Sequence, residues 1–365
     1  MNRILFDITK ASRQSHKSGL TRVSECLRRE LREKLGDRLV DVRWKEGKRK
    51  FIPAEKKNKG FEVESGDVLL TGELFCEFER PGIEEFLASD VCRSYAIFHD
   101  AIPLQFPEFS WPHSVQRHPS YMKMLSLFDG VFAVSKSSSM LLEEYWEWLG
   151  YEYAPSVKSL QLGCNGFMSE KREPRETSNE RLQLLCLGIL ERRKGQDLLL
   201  KACEQLQGEG LEFDLHVVGR TNPYFGKDLE KQIKVAVKGG VPIKLHGAID
   251  DSGLSSLVEK TDLLVFCSRA EGCGLPVLEA LWQGLPVLSS DLEPVKENAR
   301  FGGCRLFQRG DLDSLVSELR ELINKRDQLE ILRGSIQGEM LPLWSATAKV
   351  ILDSLGWVPS DQVSC

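Results

Sequence analysis

Glu271 and Glu279 stand eight residues apart in TDLLVFCSRAEGCGLPVLEALWQGLPVLSS, residues 261–290, a segment otherwise so apolar that two carboxylates in it must find ionic or hydrogen-bonding partners. An apolar run at 263–267 predicts a buried strand, and a small-residue loop with Glu271, Gly272 and Gly274 follows it. A helix is predicted from Leu275 and Pro276, where proline costs no hydrogen bond because first-turn amides lack internal acceptors. Glycines there let a ligand approach the backbone, and the unpaired amides of the helix start favour an anion. A ligand lying across this start would meet Glu271 at its mouth and Glu279 one turn further on. Spacing alone does not carry this reading, because acidic pairs eight apart also arise by chance; the strand, glycine loop, proline and helix around them do.

A second constellation is LQLLCLGILERRKGQDLLLKAC, residues 182–203. A strand ending near Leu187 and Gly188 runs through Arg192, Arg193 and Lys194 into a helix from about Gln196. Arginine offers a planar fork of donors and lysine a compact charge, a combination suited to a diphosphate whose leaving oxygens gain charge as a bond breaks. An ordinary solvated basic turn is the competing reading. No G-x-G-x-x-G follows a strand and no G-x-x-x-x-G-K-[ST] occurs, which argues against nicotinamide redox chemistry and P-loop ATP hydrolysis.

In the first half, YAIFHDAIPLQFPEF, residues 95–109, is a strand ending on His99 and Asp100; His99 could hydrogen-bond a hydroxyl and Asp100 orient it. Gly19, in KSGLT between the first strand and first helix, suits close approach to a phosphate or sugar. Glu297, on a later helix, is either a third carboxylate of the site or an ordinary first-turn acid. His216 and His246 lie inside strand patterns and read as satisfied core histidines.

These residues need a scaffold, and its pattern is visible. Short apolar runs at 4–6, 68–70, 95–98, 131–134 and 157–160, then at 182–187, 215–218, 243–245, 263–267, 287–288 and 305–307, alternate with helical periodicity. Leu20, Val23, Leu27, Leu31 and Leu35 form one apolar helix face, with Ser18 placed as its cap. Two such series imply an α/β chain of two doubly wound domains, since each crossover helix must cover a sheet face. The charged stretch 169–180 reads as a linker, dividing domain 1–168 from domain 169–340. In the remaining segment, 341–365, Trp344, Ala348, Ile351 and Leu355 recur at helical spacing after Pro342.

With these motifs in hand, the sequence resembles the retaining nucleotide-sugar glycosyltransferases of family 4, of two-domain GT-B architecture. The resemblance rests on EGCGLPVLEALWQGLPVLSS, LGILERRKGQDLLLKAC, HDAIPLQFPE and KSGLTRVSECL, in family order over almost the whole chain. It implies two Rossmann-like domains facing across a cleft, with the last helix returning to the first. It further implies that Glu271 contacts the transferred sugar, Glu279 the donor ribose, Arg193 and Lys194 the diphosphate, His99 the donor sugar and Gly19 the phosphates. Two positions depart from the family pattern: Ile189 stands where many members have arginine, and Cys273 replaces an aromatic residue between the two glycines.

The implied donor is a nucleoside-diphosphate sugar, with GDP-mannose suggested by resemblance to surface-polysaccharide mannosyltransferases, and the implied acceptor a glycan or lipid-linked saccharide. No further cofactor and no metal is expected, since Arg193 and Lys194 supply the cationic charge. A GT-B epimerase or hydrolase, and a non-catalytic nucleotide-sugar-binding scaffold, are the alternatives. The ten cysteines lack metal-ligand spacing and read as reduced core thiols. A net charge of -5 gives no global reason to expect nucleic acid. Segment 43–59 is the local exception, with eight lysines or arginines against Glu46 and Glu55; with Trp44 and Phe51 interleaved, it could meet an anionic membrane surface. No signal peptide or bilayer-spanning run is visible, so the expectation is a cytoplasmic protein, peripheral at most to the inner membrane face.

Overall fold

In a computed structural model, residues 3–13, 19–55, 60–166 and 181–357 are described. Ser18, Lys56, Lys57, Lys59 and the 169–180 stretch lie outside them. Contacts divide the chain into two compact units, residues 1–163 with 342–365 and residues 164–341.

The first unit holds β1 (Ile4–Asp7), β2 (Leu39–Lys45), β3 (Lys50–Pro53), β4 (Val68–Thr71), β5 (Arg93–Phe98), β6 (Gly130–Ala133) and β7 (Ser156–Ser159). They form one sheet in the order β3-β2-β1-β4-β5-β6-β7, parallel except for the β2–β3 hairpin. The second unit holds β8 (Leu182–Leu187), β9 (Phe213–Val218), β10 (Ile243–Gly247), β11 (Leu263–Phe266), β12 (Val287–Ser290) and β13 (Cys304–Phe307), all parallel in the order β10-β9-β8-β11-β12-β13. In each sheet the chain winds outward from the first strand, then returns to place the fourth beside it. Open parallel sheets bind ligands at such a reversal, outside the carboxyl ends of the two strands.

The apolar runs are continuous rather than alternating because helices cover both faces. On β11, Leu263 and Val265 join the core beneath helices Gln196–Gly208 and Leu312–Asn324, while Leu264 and Phe266 face Val277, Leu278 and Leu281 of helix Leu275–Trp282. All eleven expected strands are present.

The β2–β3 hairpin was not expected, and it corrects the reading of the basic segment. Trp44 and Phe51 are a buried cross-strand pair with ring centroids 5.2 Å apart, both packed edge-on against Phe86. They are core residues and are not exposed between the lysines and arginines; Lys45, Lys48, Arg49 and Lys50 stay exposed. On helix Gly19–Leu35, Val23, Leu27, Leu31 and Leu35 are buried but Leu20 is exposed, so the apolar face starts a turn later than expected. Gly19 is the first residue of this helix rather than part of a preceding loop.

Helix Trp344–Ser354 packs on helix Gly19–Leu35 within the first unit, as the expected return requires. Trp344, Ala348, Ile351 and Leu355 are fully buried. Thr347 Oγ1 donates to Gln161 O at 2.7 Å and Arg93 Nη2 to Leu355 O at 3.1 Å. Gly163 permits the close approach, since a Cβ there would lie 2.2 Å from the Trp344 backbone nitrogen. Trp344→Ala is expected to cost ~3 to 5 kcal/mol, read as a lowered midpoint of chemical denaturation, because a cavity replaces a fully buried indole.

Candidate functional site

The reversal in the second sheet lies between β8 and β11, and the two loops leaving their carboxyl ends carry the expected charged residues. After β8 the chain forms a short turn, Arg192–Lys194, then Gly195 and helix Gln196–Gly208. Only glycine fits at 195. Its φ is +71°, and a Cβ would lie 1.9 Å from Cys267 O on the neighbouring loop. After β11 the loop 267–274 ends at Gly274, which precedes helix Leu275–Trp282; Pro276 lies in its first turn.

Lys194 Nζ donates to Glu271 Oε1 at 2.6 Å, and Arg193 Nη1 lies 3.7 Å from Glu271 Oε2. Arg193 is itself aimed by three further contacts: Nε to Glu191 Oε1 at 2.9 Å, Nη2 to the same oxygen at 2.8 Å, and Nη1 to Ala270 O at 2.9 Å. Buried Glu191 receives Asn222 Nδ2 at 2.7 Å on its other oxygen. Gln196 closes the loop from within, with Nε2 donating to Ile189 O at 3.0 Å.

Burial alone would push the Glu271 carboxyl up, but Lys194 and Arg193 outweigh it and hold it below the ordinary carboxylate value. For Lys194 burial wins, and its ammonium titrates below the ordinary lysine value despite the Glu271 charge. The result is a charge cluster whose ions depend on one another.

Glu279 is buried in the helix and is not a solvated surface acid. The Cys273 thiol is pushed up chiefly by burial and then by the charges of Glu297, Glu271 and Glu279. Asn298 Nδ2 holds this loop through Cys273 O at 2.7 Å. The structure therefore brings together Arg193, Lys194, Glu271, Gly272, Gly274, Leu275, Glu279 and Glu297 in one unit. Glu191, Gln196, Asp197, Asn222 and Arg269 complete the cluster and were not singled out from the sequence; for all but Asn222, which comes from the loop after β9, a polar residue within a few positions of Lys194 or Glu271 was the available signal.

His99 and Gly19 belong to the first unit. His99 is buried at the end of β5, where burial lowers its pKa, and its Nε2 donates to Gly72 O at 3.0 Å, since a carbonyl can only accept. Asp100 serves locally, accepting the Ile102 amide at 3.0 Å. Of the two histidines expected in the core, His216 is buried, but His246 is exposed on edge strand β10, and the two rings bond to one another at 2.9 Å. His216 Nε2 donates to Gln183 Oε1 at 3.0 Å, so its Nδ1 accepts from His246.

The reversal in the first sheet, at β1 and β4, holds a second polar cluster that the sequence reading left unassigned. Buried Asp7, at the end of β1, takes Arg80 Nη1 at 2.6 Å and Thr71 Oγ1 at 2.8 Å. Glu73 accepts the amides of Lys10 and Ala11 at 2.6 and 2.9 Å and pairs with Arg80 Nη2. Burial, and then the Asp7 charge, push the Glu73 carboxyl up to about 7 against these donors. TGELFCEFER, directly after an apolar strand, was the signal for it.

Among the described residues, no group of three or more histidines, cysteines or acids is placed to hold a metal ion. No described helix is long and apolar enough to cross a membrane.

Residues 167–335 match the family model described as glycosyl transferases group 1, a span that falls within the second unit. The serotype-specific mannosyltransferase WbdA of Escherichia coli is 24% identical over 325 residues, covering 82% of this chain and 40% of that protein. The sulfoquinovosyl transferase SQD2 of Arabidopsis thaliana is 25% identical over 274 residues, covering 69% and 50%. The chain thus spans about half the length of these curated relatives, or less. Among solved structures, sucrose-phosphate synthase of Thermosynechococcus elongatus aligns over 98% of both chains at 15% identity with a TM-score of 0.72. Anabaena Alr3699/HepE, solved with UDP and glucose, aligns over 98% of this chain and 100% of its own at 16% identity with a TM-score of 0.71. At such identities these structures show the fold, which is GT-B. The segment 167–335 is thus similar to glycosyl transferases group 1, and the curated relatives named are sugar transferases by name.

Two outcomes follow from the charge clusters. Lys194→Met leaves a largely buried Glu271 without its nearer cation, and is expected to cost ~3 kcal/mol at pH 7, part of which the added change Glu271→Gln restores; chemical denaturation measures both. For Glu73 the folded protein holds its proton more tightly than the unfolded chain, so the stability this adds is complete below the ordinary value of 4.5 and is lost as pH rises through about 7. Denaturation midpoints recorded across that window should flatten in Glu73→Gln.

Proposed function

We propose that this chain transfers a hexose, with mannose the leading candidate, from a nucleoside-diphosphate sugar to a hydroxyl of a glycan or lipid-linked saccharide, with retention at the anomeric carbon, as in family 4. The observation that carries this reading is the pairing of Lys194, with Arg193 beside it, to Glu271 at the reversal of the second sheet. A diphosphate there would meet both cations and the amides of Gly272, Gly274 and Leu275 at the helix start.

In the reaction the bond between the anomeric carbon and the diphosphate oxygen breaks, and its electron pair leaves with the diphosphate. Positive character grows on the sugar and negative charge on the leaving group. Arg193, Lys194 and the helix-start amides stabilise that charge as it forms, which lowers the barrier because it is larger in the transition state than in the bound donor. The acceptor oxygen bonds to the anomeric carbon on the face the diphosphate leaves, and its proton passes to a departing phosphate oxygen. Glu271, kept ionised by its two cations, orients the sugar hydroxyls, and Glu279 takes the ribose hydroxyls. The roles that the resemblance gives to His99 and Gly19 belong to the same proposal.

GDP-mannose is favoured by likeness to WbdA, a mannosyltransferase by name. The proposal places the reaction in the cytoplasm, with the exposed cations Lys45, Lys48, Arg49 and Lys50 available to an anionic membrane surface. The test is mass spectrometry of products from a matrix of nucleotide-sugar donors against lipid-linked and soluble glycans. One pairing should give an acceptor heavier by one hexose, with donor consumed only when acceptor is present, and Glu271→Ala should lower the rate by about a hundredfold or more. Donor consumption without acceptor would favour a hydrolase or epimerase. Donor binding without turnover across the whole panel would favour a non-catalytic scaffold.

A further inference from the structure

The two loops of the second sheet are joined by more than the Lys194–Glu271 pair. Arg269, two residues before Glu271, donates its backbone N–H to Arg193 O at 2.7 Å. Its guanidinium grips the Asp197 carboxylate with both prongs, Nη1 to Oδ1 at 2.6 Å and Nη2 to Oδ2 at 2.9 Å. Nη1 also donates to Arg192 O. Arg193 answers across the gap through Nη1 to Ala270 O at 2.9 Å. The turn that carries Arg193 and Lys194 therefore has two consecutive carbonyls held by one residue of the opposite loop. That residue is in turn locked onto the first turn of helix Gln196–Gly208, where a carboxylate is favoured by the helix dipole.

We propose that Asp197 and Arg269 form a positioning pair for the diphosphate grip, setting where Lys194 and Arg193 stand relative to Glu271 without touching the donor themselves. The inference rests on the donor reading given above. A lysine is a compact charge on a flexible stem, so its aim depends on the backbone that bears it. Charge stabilisation works when the charges stand in place beforehand, and displacement of a bound group by about an ångström costs rate and affinity. About a quarter of each side chain of the Asp197–Arg269 pair is exposed and the contact is bidentate, so breaking it costs some fold stability in either role, and only a positioning role adds a loss of nucleotide affinity beyond that. A positioning role and a purely structural one therefore predict different measurements.

The experiment titrates GDP and UDP, as free nucleotides, into the full chain by calorimetry, alongside thermal midpoints. Asp197→Asn and Arg269→Gln should each weaken nucleotide binding by about tenfold while the protein stays folded at the titration temperature, and the double variant should lose little more because the residues act as a unit. Asp197→Glu, which keeps the carboxylate, should recover most of the affinity, whereas Arg269→Lys, which lacks the fork, should not. Native-like affinity in folded Asp197→Asn overturns the inference. So does a loss of affinity that tracks an equal loss of thermal stability and adds up in the double variant. Should Arg269→Gln fail to fold, the nearly isosteric Asp197→Asn decides alone. If the native chain binds neither nucleotide, the donor reading falls and this inference with it; if the native chain binds and the variants match it, only the inference falls.

Discussion

The site depends on a reversal in strand order. Because β11 returns to lie beside β8, the loops after these strands leave the same edge side by side, and residues 77 positions apart in sequence, Lys194 and Glu271, come within 2.6 Å. Everything else in the cluster is a consequence of holding those loops close. Gly195 gives the backbone room against Cys267, Arg269 stitches the two loops, and Asn298 ties the second loop to the helix behind it.

Such a cluster is costly as well as useful. Glu271, Lys194, Arg193 and Glu191 are largely removed from water, and each is tolerable only because the others compensate its charge. The balance leans one way on each partner: Glu271 is held ionised, while Lys194 is drawn toward losing its proton. In this cluster the two cations are matched by two carboxylates, so an incoming diphosphate would compete with Glu271 for Lys194 and with Glu191 for Arg193. The first sheet shows the complementary case at its own reversal, where Asp7 and Glu73 share Arg80 and the excess is acidic.

Much of this was legible in the sequence, for physical reasons that also mark where legibility ended. Strands buried on both faces are uninterrupted apolar runs, so β8 and β11 stood out, and Glu271 and Lys194 were recognisable as charges placed just beyond them. The β2–β3 hairpin did not stand out, because its buried residues Trp44 and Phe51 are embedded among exposed lysines and arginines that the pleat turns outward. Leu20 fits the helical period but falls on the first, uncovered turn. His246 fits the strand pattern, yet β10 is an edge strand, and edge position is a property of sheet order, not of local sequence. The Asp197–Arg269 lock was invisible for the same reason as the Lys194–Glu271 pair: its partners meet only once the sheet is assembled. Glu279 stood out as a carboxylate in an apolar segment, and its burial follows from the packing of helix Leu275–Trp282 against β11.

The central claim is that two loops of the second unit jointly hold a diphosphate. Amide hydrogen exchange with and without saturating GDP, and separately UDP, tests it most directly. The account expects slowed exchange in residues 192–195 and 272–275 together, with one nucleotide or both. Protection confined to a different edge of the sheet, or to one of these loops without the other, would contradict it.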